Sequence, residues 1–142
     1  MDAFDADVLI YAAVSGHLLG RRVLALFPDS PTDETGIGAG IGSVLLIPEL
    51  LSKPTREKAD AELLALAALL GRLDLRPVDE ATAELAVALA ASYRLKATDA
   101  VHLATAVMAN ADRFVTNNQR DFPQAINEID ITYPGDLPEP TD

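Results

Sequence analysis

Cysteine is absent from this chain, which excludes disulfide bonds and thiolate metal sites. Long apolar runs are absent too, because none approaches the ~20 residues that a membrane-spanning helix needs. The N-terminus has no basic segment followed by an apolar stretch, so we expect no signal peptide. Together these absences predict a cytoplasmic protein that does not associate with a membrane.

Positive charge is scarce. Only 11 residues are basic against 22 acidic ones, which gives a formal net charge of −11. A protein held to nucleic acid by diffuse electrostatics is usually basic, so the composition counts against a general nucleic-acid binder. The charge leaves two possibilities open. One is an enzyme that meets a phosphodiester through bound metal and a few local cations, and the other is a protein that binds a basic partner segment.

Glycine-rich phosphate-binding signatures are missing as well. Residues 36–42 alternate glycine with apolar residues, but no register gives G-x-G-x-x-G and no lysine follows at the P-loop spacing. We therefore predict a strand or a tight packing loop here, and dinucleotide binding is disfavoured. A phosphoacceptor receiver domain is also disfavoured, since it needs an acceptor aspartate after a middle strand and a late lysine, whereas no lysine follows Lys96.

The 142 residues, 49% hydrophobic and 23% charged, have the size and composition of one globular domain. We assign residues 1–134 to that domain and residues 135–142, which are rich in proline and acids, to a flexible C-terminal tail.

Short strand-like runs alternate with longer helical ones, which predicts an α/β fold with a mostly parallel sheet. The predicted strands are 2–5, 36–42, 73–78, 114–116 and 129–133. The predicted helices are two segments on either side of Gly16, one from the N-cap Ser43 to a stop at Lys53-Pro54, and then 56–70, 80–93 and 98–110. Residues 28–33 are predicted to form a loop.

Four acidic residues lie inside or beside apolar runs, where ionised carboxylates are normally excluded. They are Asp5, Glu49, Asp99 and Asp121. In an open parallel sheet, ligands bind beyond the carboxyl ends of the strands. Asp5, Asp99 and the segment Asn118–Asp121 are expected at that edge, whereas Glu49 belongs inside a helix.

Each acid also has a purely structural interpretation. Asp99 and Asp7 are ordinary helix-capping residues by position, and Asp121 beside Phe122 is a natural turn residue. Glu49 is harder to explain, because its neighbours are apolar. His102 follows Asp99 by one helical turn and is either a metal ligand or a hydrogen-bonded core residue. We favour the core interpretation for a single histidine on an Ala- and Leu-rich helix.

Clustered carboxylates need a positive partner, since two unit charges about 4 Å apart repel by roughly 4 kcal/mol at an effective dielectric near 20. Hard oxygen ligands without cysteine match Mg²⁺ or Mn²⁺ rather than zinc. Cations follow Glu49 and precede Asp99 in the sequence, and they are candidates to bind a substrate backbone. These substrate-binding candidates are Lys53, Arg56, Arg94 and Lys96, with Lys58 nearby.

Four segments, in this order, resemble the motifs of the PIN domain family, which includes VapC-like toxin ribonucleases. They are Asp5-Ala6-Asp7-Val8-Leu9-Ile10, Ser43 to Leu51 with its Glu49-Leu50-Leu51, Asp99-Ala100-Val101-His102-Leu103-Ala104-Thr105-Ala106, and Phe114-Val115-Thr116-Asn117-Asn118 with Asp121-Phe122. The similarity covers about residues 2 to 133.

The resemblance implies a three-layer α/β/α fold and a Mg²⁺- or Mn²⁺-dependent endoribonuclease that hydrolyses RNA phosphodiesters with metal-activated water. It implies that Asp5, Glu49 and Asp99 are metal-binding catalytic acids. We place Asp7 beside them in a supporting position. Many small members are dimeric toxins inhibited by an antitoxin, so a homodimer and a basic antitoxin partner are expected.

One position departs from the family pattern. Many members carry aspartate where this chain has Asn118, and others use an acid a few residues later, where Asp121 stands. The fourth metal-site residue is therefore Asp121, Asn118 acting through water, or neither. The alternative function is a catalytically weakened PIN-like protein that acts as a binding or regulatory partner.

Overall fold

A computed structural model describes residues 1–27 and 38–141. Within these residues one five-stranded sheet has the order β3-β2-β1-β4-β5, and every neighbouring pair is parallel. The strands are β1 (Asp2–Phe4), β2 (Gly40–Ser43), β3 (Leu73–Arg76), β4 (Arg113–Val115) and β5 (Asp130–Thr132). The predicted α/β fold with a parallel sheet is confirmed. The loop predicted at 28–33 and the first two residues of the segment 36–42 lie outside the described residues.

Six helices connect these strands in the described part of the chain. They are α1 (Ala6–Ala13), α2 (Leu18–Leu24), α3 (Leu46–Arg56), α4 (Asp60–Leu70), α5 (Glu80–Tyr93) and α6 (Ala97–Met108). Asp79 caps α5 as predicted, because its side chain accepts a hydrogen bond from the Thr82 amide. No helix among residues 1–27 and 38–141 is long and apolar enough to cross a membrane.

The helices form two layers because side chains alternate along each strand. Phe4 and Val115 point into a core shared with α1, α2, α3 and α4. Their strand neighbours Ala3 and Phe114 point into the opposite core, which is formed with α5 and α6. The sheet is thus buried on both faces, as parallel sheets generally are.

The central strand β1 pairs with β2 on one side and with β4 on the other. The chain therefore leaves β1 towards one edge of the sheet and later returns to its other side, which creates a crevice beyond the carboxyl end of β1. The Asp5 amide still donates to the Val115 carbonyl at 3.0 Å, so the residue that follows β1 is fixed against β4.

Both predicted boundaries of α3 are wrong, and the helix predicted from residue 56 begins only at Asp60. Ser43 belongs to β2 and Leu45 occupies the N-cap of α3, while the Ser43 hydroxyl accepts from the Leu45 amide at 3.1 Å. The stop predicted at Lys53-Pro54 does not occur, since α3 continues to Arg56. Pro54 lies in the last turn, where its missing N–H removes one hydrogen bond, and its ring is buried.

The predicted C-terminal tail contacts α2. The Arg22 guanidinium donates to the Gly135 carbonyl at 2.8 Å and to the Leu137 carbonyl at 3.1 Å, and it pairs with Glu139 at 2.9 Å. Leu137 is buried in the same core as α2. The domain boundary at residue 134 and the flexibility of residues 135–142 stay predictions.

The contact between α1 and α2 generates a stability prediction. A Cβ added at Gly20 would lie 2.0 Å from the Tyr11 carbonyl oxygen, whereas one added at Gly71 would meet its nearest atom at 3.4 Å. We expect Gly20→Ala to lower the free energy of unfolding by about 1–3 kcal/mol through overpacking. The matched control Gly71→Ala, at a residue with φ −64°, should raise it by roughly 0.4–1 kcal/mol. Urea denaturation measures both, and equal effects would contradict the close packing of α1 on α2.

Candidate metal-binding active site

A cavity of about 660 Å³ opens beyond the carboxyl ends of β1 and β4. Its lining residues are Leu45, Pro48, Glu49, Lys96, Thr98, Asp99, Asn118 and Asp121. Three of the four predicted catalytic acids thus share one cavity, and the fourth, Asp5, lies buried at the end of β1. These residues come from α3, from the start of α6 and from the loop after β4.

Asp5 is held rigidly at the point where β1 becomes α1. It is the N-cap of α1, and its carboxylate accepts from the Ala6 amide and from the Thr116 hydroxyl, both at 2.8 Å. The residue is 5% exposed, and burial raises the pKa of its carboxyl group although the Thr116 hydrogen bond opposes the rise. The fold therefore holds a buried carboxylate, whose ionised form is disfavoured, at the carboxyl end of the central strand β1.

Asp99 occupies the first turn of α6, but it is not the helix cap. The N-cap is Lys96, and Asp99 is the third residue of the helix. Burial raises the pKa of Asp99, and the negative charges of Asp5, Asp121 and Glu49 raise it further. Asp5, Asp121 and Glu49 therefore lie close enough to Asp99 to act on its charge.

Glu49 reaches the cavity from α3 and meets His102 on α6. The His102 Nε2 and the Glu49 Oε2 atoms are 2.5 Å apart. The His102 side chain is 1% exposed and that of Glu49 is 34% exposed, so the histidine lies on the inner side of the contact. The prediction that His102 is a buried, hydrogen-bonded residue is confirmed.

The loop after β4 joins Asn118 to Asp121. The Asn118 amide nitrogen donates to Asp121 Oδ2 at 2.9 Å, and the Asp121 backbone amide donates to Asn118 Oδ1 at 3.3 Å. Asp121 is therefore a turn residue whose carboxylate also faces the cavity. Because both side chains line the cavity, the identity of the fourth metal-site residue stays a prediction.

Asp7 supports this loop from the first turn of α1. Its Oδ2 accepts from the Asn117 amide at 3.0 Å, while its Oδ1 is buried without a partner among the described residues. Burial, followed by the charge of Asp5, raises the pKa of Asp7 to about 7. The residue fits the supporting position expected for it.

The predicted substrate-binding cations are not brought together. Lys96 lines the cavity beside Asp99. Lys53 and Arg56 lie in the last turn of α3, and Arg94 caps α5 in a left-handed conformation, so these three are absent from the cavity lining that the structure describes. Their roles in substrate binding stay predictions.

Sequence reasoning overlooked Thr116. Its hydroxyl donates to Asp5 Oδ2 and accepts from the Asn118 amide at 3.1 Å, and the residue is fully buried. It therefore couples the end of β1 to the loop that carries Asn118. The sequence signal for this role is a hydroxyl residue at the end of a buried strand, directly before two asparagines.

The donor chemistry of the site fits a divalent cation. Within residues 1–27 and 38–141, no three His, Asp or Glu side chains stand as a ready-made set of metal ligands. The four carboxylates nevertheless supply only oxygen donors, and three of them raise the pKa of Asp99. Such an arrangement favours a hard cation such as Mg²⁺ or Mn²⁺, because positive charge relieves the mutual repulsion.

The family model of the PIN domain matches residues 3–126, so this chain belongs to the PIN domain family. Members of this family are nucleases and generally use divalent metal ions. No curated protein matches the chain.

Two solved structures share the fold. One is described as a toxin–antitoxin complex from Klebsiella pneumoniae; it is 25% identical, has a TM-score of 0.73, and the match covers 94% of this chain and 98% of that one. The other is VapBC2 from Rickettsia felis bound to a DNA fragment from its promoter. It is 16% identical with a TM-score of 0.65, and the match covers 93% of this chain and 97% of that one.

The raised pKa of Asp7 predicts a pH dependence of stability. A carboxyl whose folded pKa, about 7, exceeds its ordinary value of 3.8 binds more protons in the folded state, so stability falls as pH rises between these values. Without metal, Asp7 alone contributes a slope of at most about 1.4 kcal/mol per pH unit. Asp7→Asn should flatten the curve of unfolding free energy against pH between 4 and 7, measured by urea denaturation in EDTA. An unchanged slope would contradict the electrostatic strain at Asp7.

Asp99 yields a second prediction, in which ionisation of a carboxyl group again lowers the stability of the folded protein. Because burial and three acids raise its pKa, its ionised form destabilises the metal-free protein at neutral pH. We expect Asp99→Asn to raise the melting temperature by a few degrees in EDTA at pH 8 and to have little effect near pH 4. The control Asp60→Asn removes the same charge from the first turn of α4, at an exposed site, and should not raise it. A sharp fall for Asp99→Asn would mean that Asp99 mainly stabilises the start of α6.

Proposed function

We propose that this chain is a Mg²⁺- or Mn²⁺-dependent endoribonuclease and the toxin of a toxin–antitoxin pair. The observation that carries the proposal is the convergence of Asp5, Glu49, Asp99 and Asp121 at the carboxyl ends of β1 and β4. Their mutual charge effects and the cavity beside them support a site for a metal and a phosphodiester. Membership of the PIN domain family supports the reaction class.

The four acids differ in how firmly the fold holds them. Asp5 accepts two hydrogen bonds and is buried, so it is the most rigid candidate ligand. The Asp99 side chain makes no hydrogen bond to another described residue, so both of its oxygens can face a ligand from the first turn of α6. Asp121 keeps Oδ1 available, since Asn118 engages Oδ2. We propose Asp5, Glu49, Asp99 and Asp121 as the catalytic acids that hold the metal, with Asn118 as the alternative to Asp121 as a ligand.

A bound divalent ion would supply positive charge to the phosphodiester and make an attacking water more nucleophilic. The chain's own residues position the reactants. Leu45 and Pro48 form an apolar wall of the cavity, and Lys96 stands on its rim, where its ammonium group can pair with a phosphate oxygen of the RNA backbone. With a net charge of −11, the protein relies on such local contacts rather than on a basic surface.

A protein partner is part of the proposal. The two structural neighbours are a toxin–antitoxin complex and a VapBC2 assembly, which supports an antitoxin for this chain. The surplus of acidic residues suits a basic antitoxin segment through charge complementarity. We also propose a homodimer and a cytoplasmic location, in line with the expectations from the sequence.

The alternative is a catalytically weakened PIN protein that acts by binding. It is favoured by the neutral Asn118, which also engages one oxygen of Asp121. It predicts metal affinity too low to matter at physiological Mg²⁺ concentrations.

The test is cleavage of a mixed RNA pool by the purified protein with Mg²⁺, with Mn²⁺ and with EDTA. We expect cleavage that requires metal and falls more than about 100-fold in Asp99→Asn, since even an outer-shell partner of a metal ligand typically contributes 10–100-fold. Asp60→Asn, the matched exposed aspartate, should cleave like the wild type.

The outcomes separate the two functions. Folded protein without cleavage in any condition favours the weakened binding protein. Cleavage that survives both EDTA and Asp99→Asn contradicts the carboxylate site.

A further inference from the structure

The contact between His102 and Glu49 links the two helical layers of the fold. Glu49 belongs to α3, which packs with the core on one face of the sheet, and His102 belongs to α6, which packs with the core on the other face. Their side chains meet at 2.5 Å beside the cavity. No other described hydrogen bond or ion pair joins these two helices.

We propose that His102 is a positioning residue that holds the Glu49 carboxylate towards the candidate metal site. This inference rests on the proposed function, because it assigns Glu49 to that site. Three of the four acids have a local partner: Thr116 binds Asp5, Asn118 binds Asp121, and His102 binds Glu49.

Glu49 needs this anchor more than the other acids. Its side chain has three rotatable bonds and is 34% exposed, so it can turn into water. The aspartates have shorter side chains, and Asp5 is fixed by two hydrogen bonds. His102 is a buried donor that holds the Glu49 carboxylate in one rotamer. Less side-chain entropy is therefore lost when the carboxylate binds the metal ion.

The geometry of the histidine suits this role rather than direct ligation. Its Nε2 is taken up by Glu49, and its Nδ1 is buried without a partner among the described residues. Nε2 carries the proton in the contact, since a carboxylate oxygen accepts. His102 also sits one turn from Asp99 on α6, so one helix fixes a candidate ligand and orients another.

Four variants test the role. Glutamine places an amide donor near the position of Nε2, whereas leucine fills similar space without a donor. The panel is therefore His102→Gln, His102→Leu, Glu49→Gln and the double variant Glu49→Gln/His102→Leu. Circular dichroism and thermal unfolding establish that each variant is folded.

The first readout is Mn²⁺ affinity, obtained from the electron paramagnetic resonance signal of free Mn²⁺ without RNA. We expect His102→Leu to weaken binding about 10–100-fold, as outer-shell partners of metal ligands do. His102→Gln should restore binding to within a few-fold of the wild type. In the Glu49→Gln background, His102→Leu should have no further effect, because the histidine acts through Glu49.

The second readout needs no metal. The chain has two histidines, so His102→Gln identifies the ring nitrogen signals of His102 by their disappearance from the ¹⁵N spectrum. Glu49→Gln should shift the Nε2 signal of His102 and leave that of His17 in place. An unshifted signal would overturn the contact on which the proposal depends.

Two failures of the Mn²⁺ experiment are distinguishable. If folded His102→Leu binds Mn²⁺ with wild-type affinity, the positioning role alone is overturned. The same holds if His102→Leu weakens Mn²⁺ binding equally in the wild type and in the Glu49→Gln background. No Mn²⁺ binding by the wild type overturns the metal site of the proposed function and the positioning role with it.

Discussion

Repulsion between carboxylates at one edge of the sheet is the constraint to which the surrounding structure responds. Asp5 is buried at the end of the central strand, and its charge acts on both Asp7 and Asp99. Two such charges about 4 Å apart repel by roughly 4 kcal/mol at an effective dielectric near 20. A fold can keep them together only if the backbone around them is rigid. Hydrogen bonds hold the side chains of Asp5, Glu49 and Asp121, while Asp99 is placed by the first turn of α6.

The scaffold meets this requirement with parallel strands packed on both faces. Because β1 pairs with β2 and β4, the residues after its last position have little freedom, and the Asp5 amide remains bonded to Val115. Thr116 then connects Asp5 to the loop that carries Asn118. Hydrogen bonds thereby hold carboxylates whose charges repel, and the proposed metal ion would relieve that repulsion.

Local sequence patterns predicted much of this arrangement. Short apolar runs between segments with helical periodicity predicted the parallel sheet. Asp5 was correctly predicted at the end of a strand and Asp99 at the start of a helix. The errors occurred where local rules compete with packing. Pro54 was read as a helix stop, yet it lies in the last turn of α3 with its ring buried. Ser43 has the residue type of a helix cap, yet β2 extends through it.

The sequence by itself determined the α/β class, the order of the elements and the acidic residues of the candidate site, because these depend on periodicity and residue type along the chain. Only the tertiary structure decided that His102 meets Glu49, that Thr116 binds Asp5, and that Lys96 alone of the four predicted substrate-binding cations lines the described cavity. These contacts join segments far apart in the chain. Their distances follow from how two helical layers pack across a twisted sheet, and no local pattern encodes that geometry.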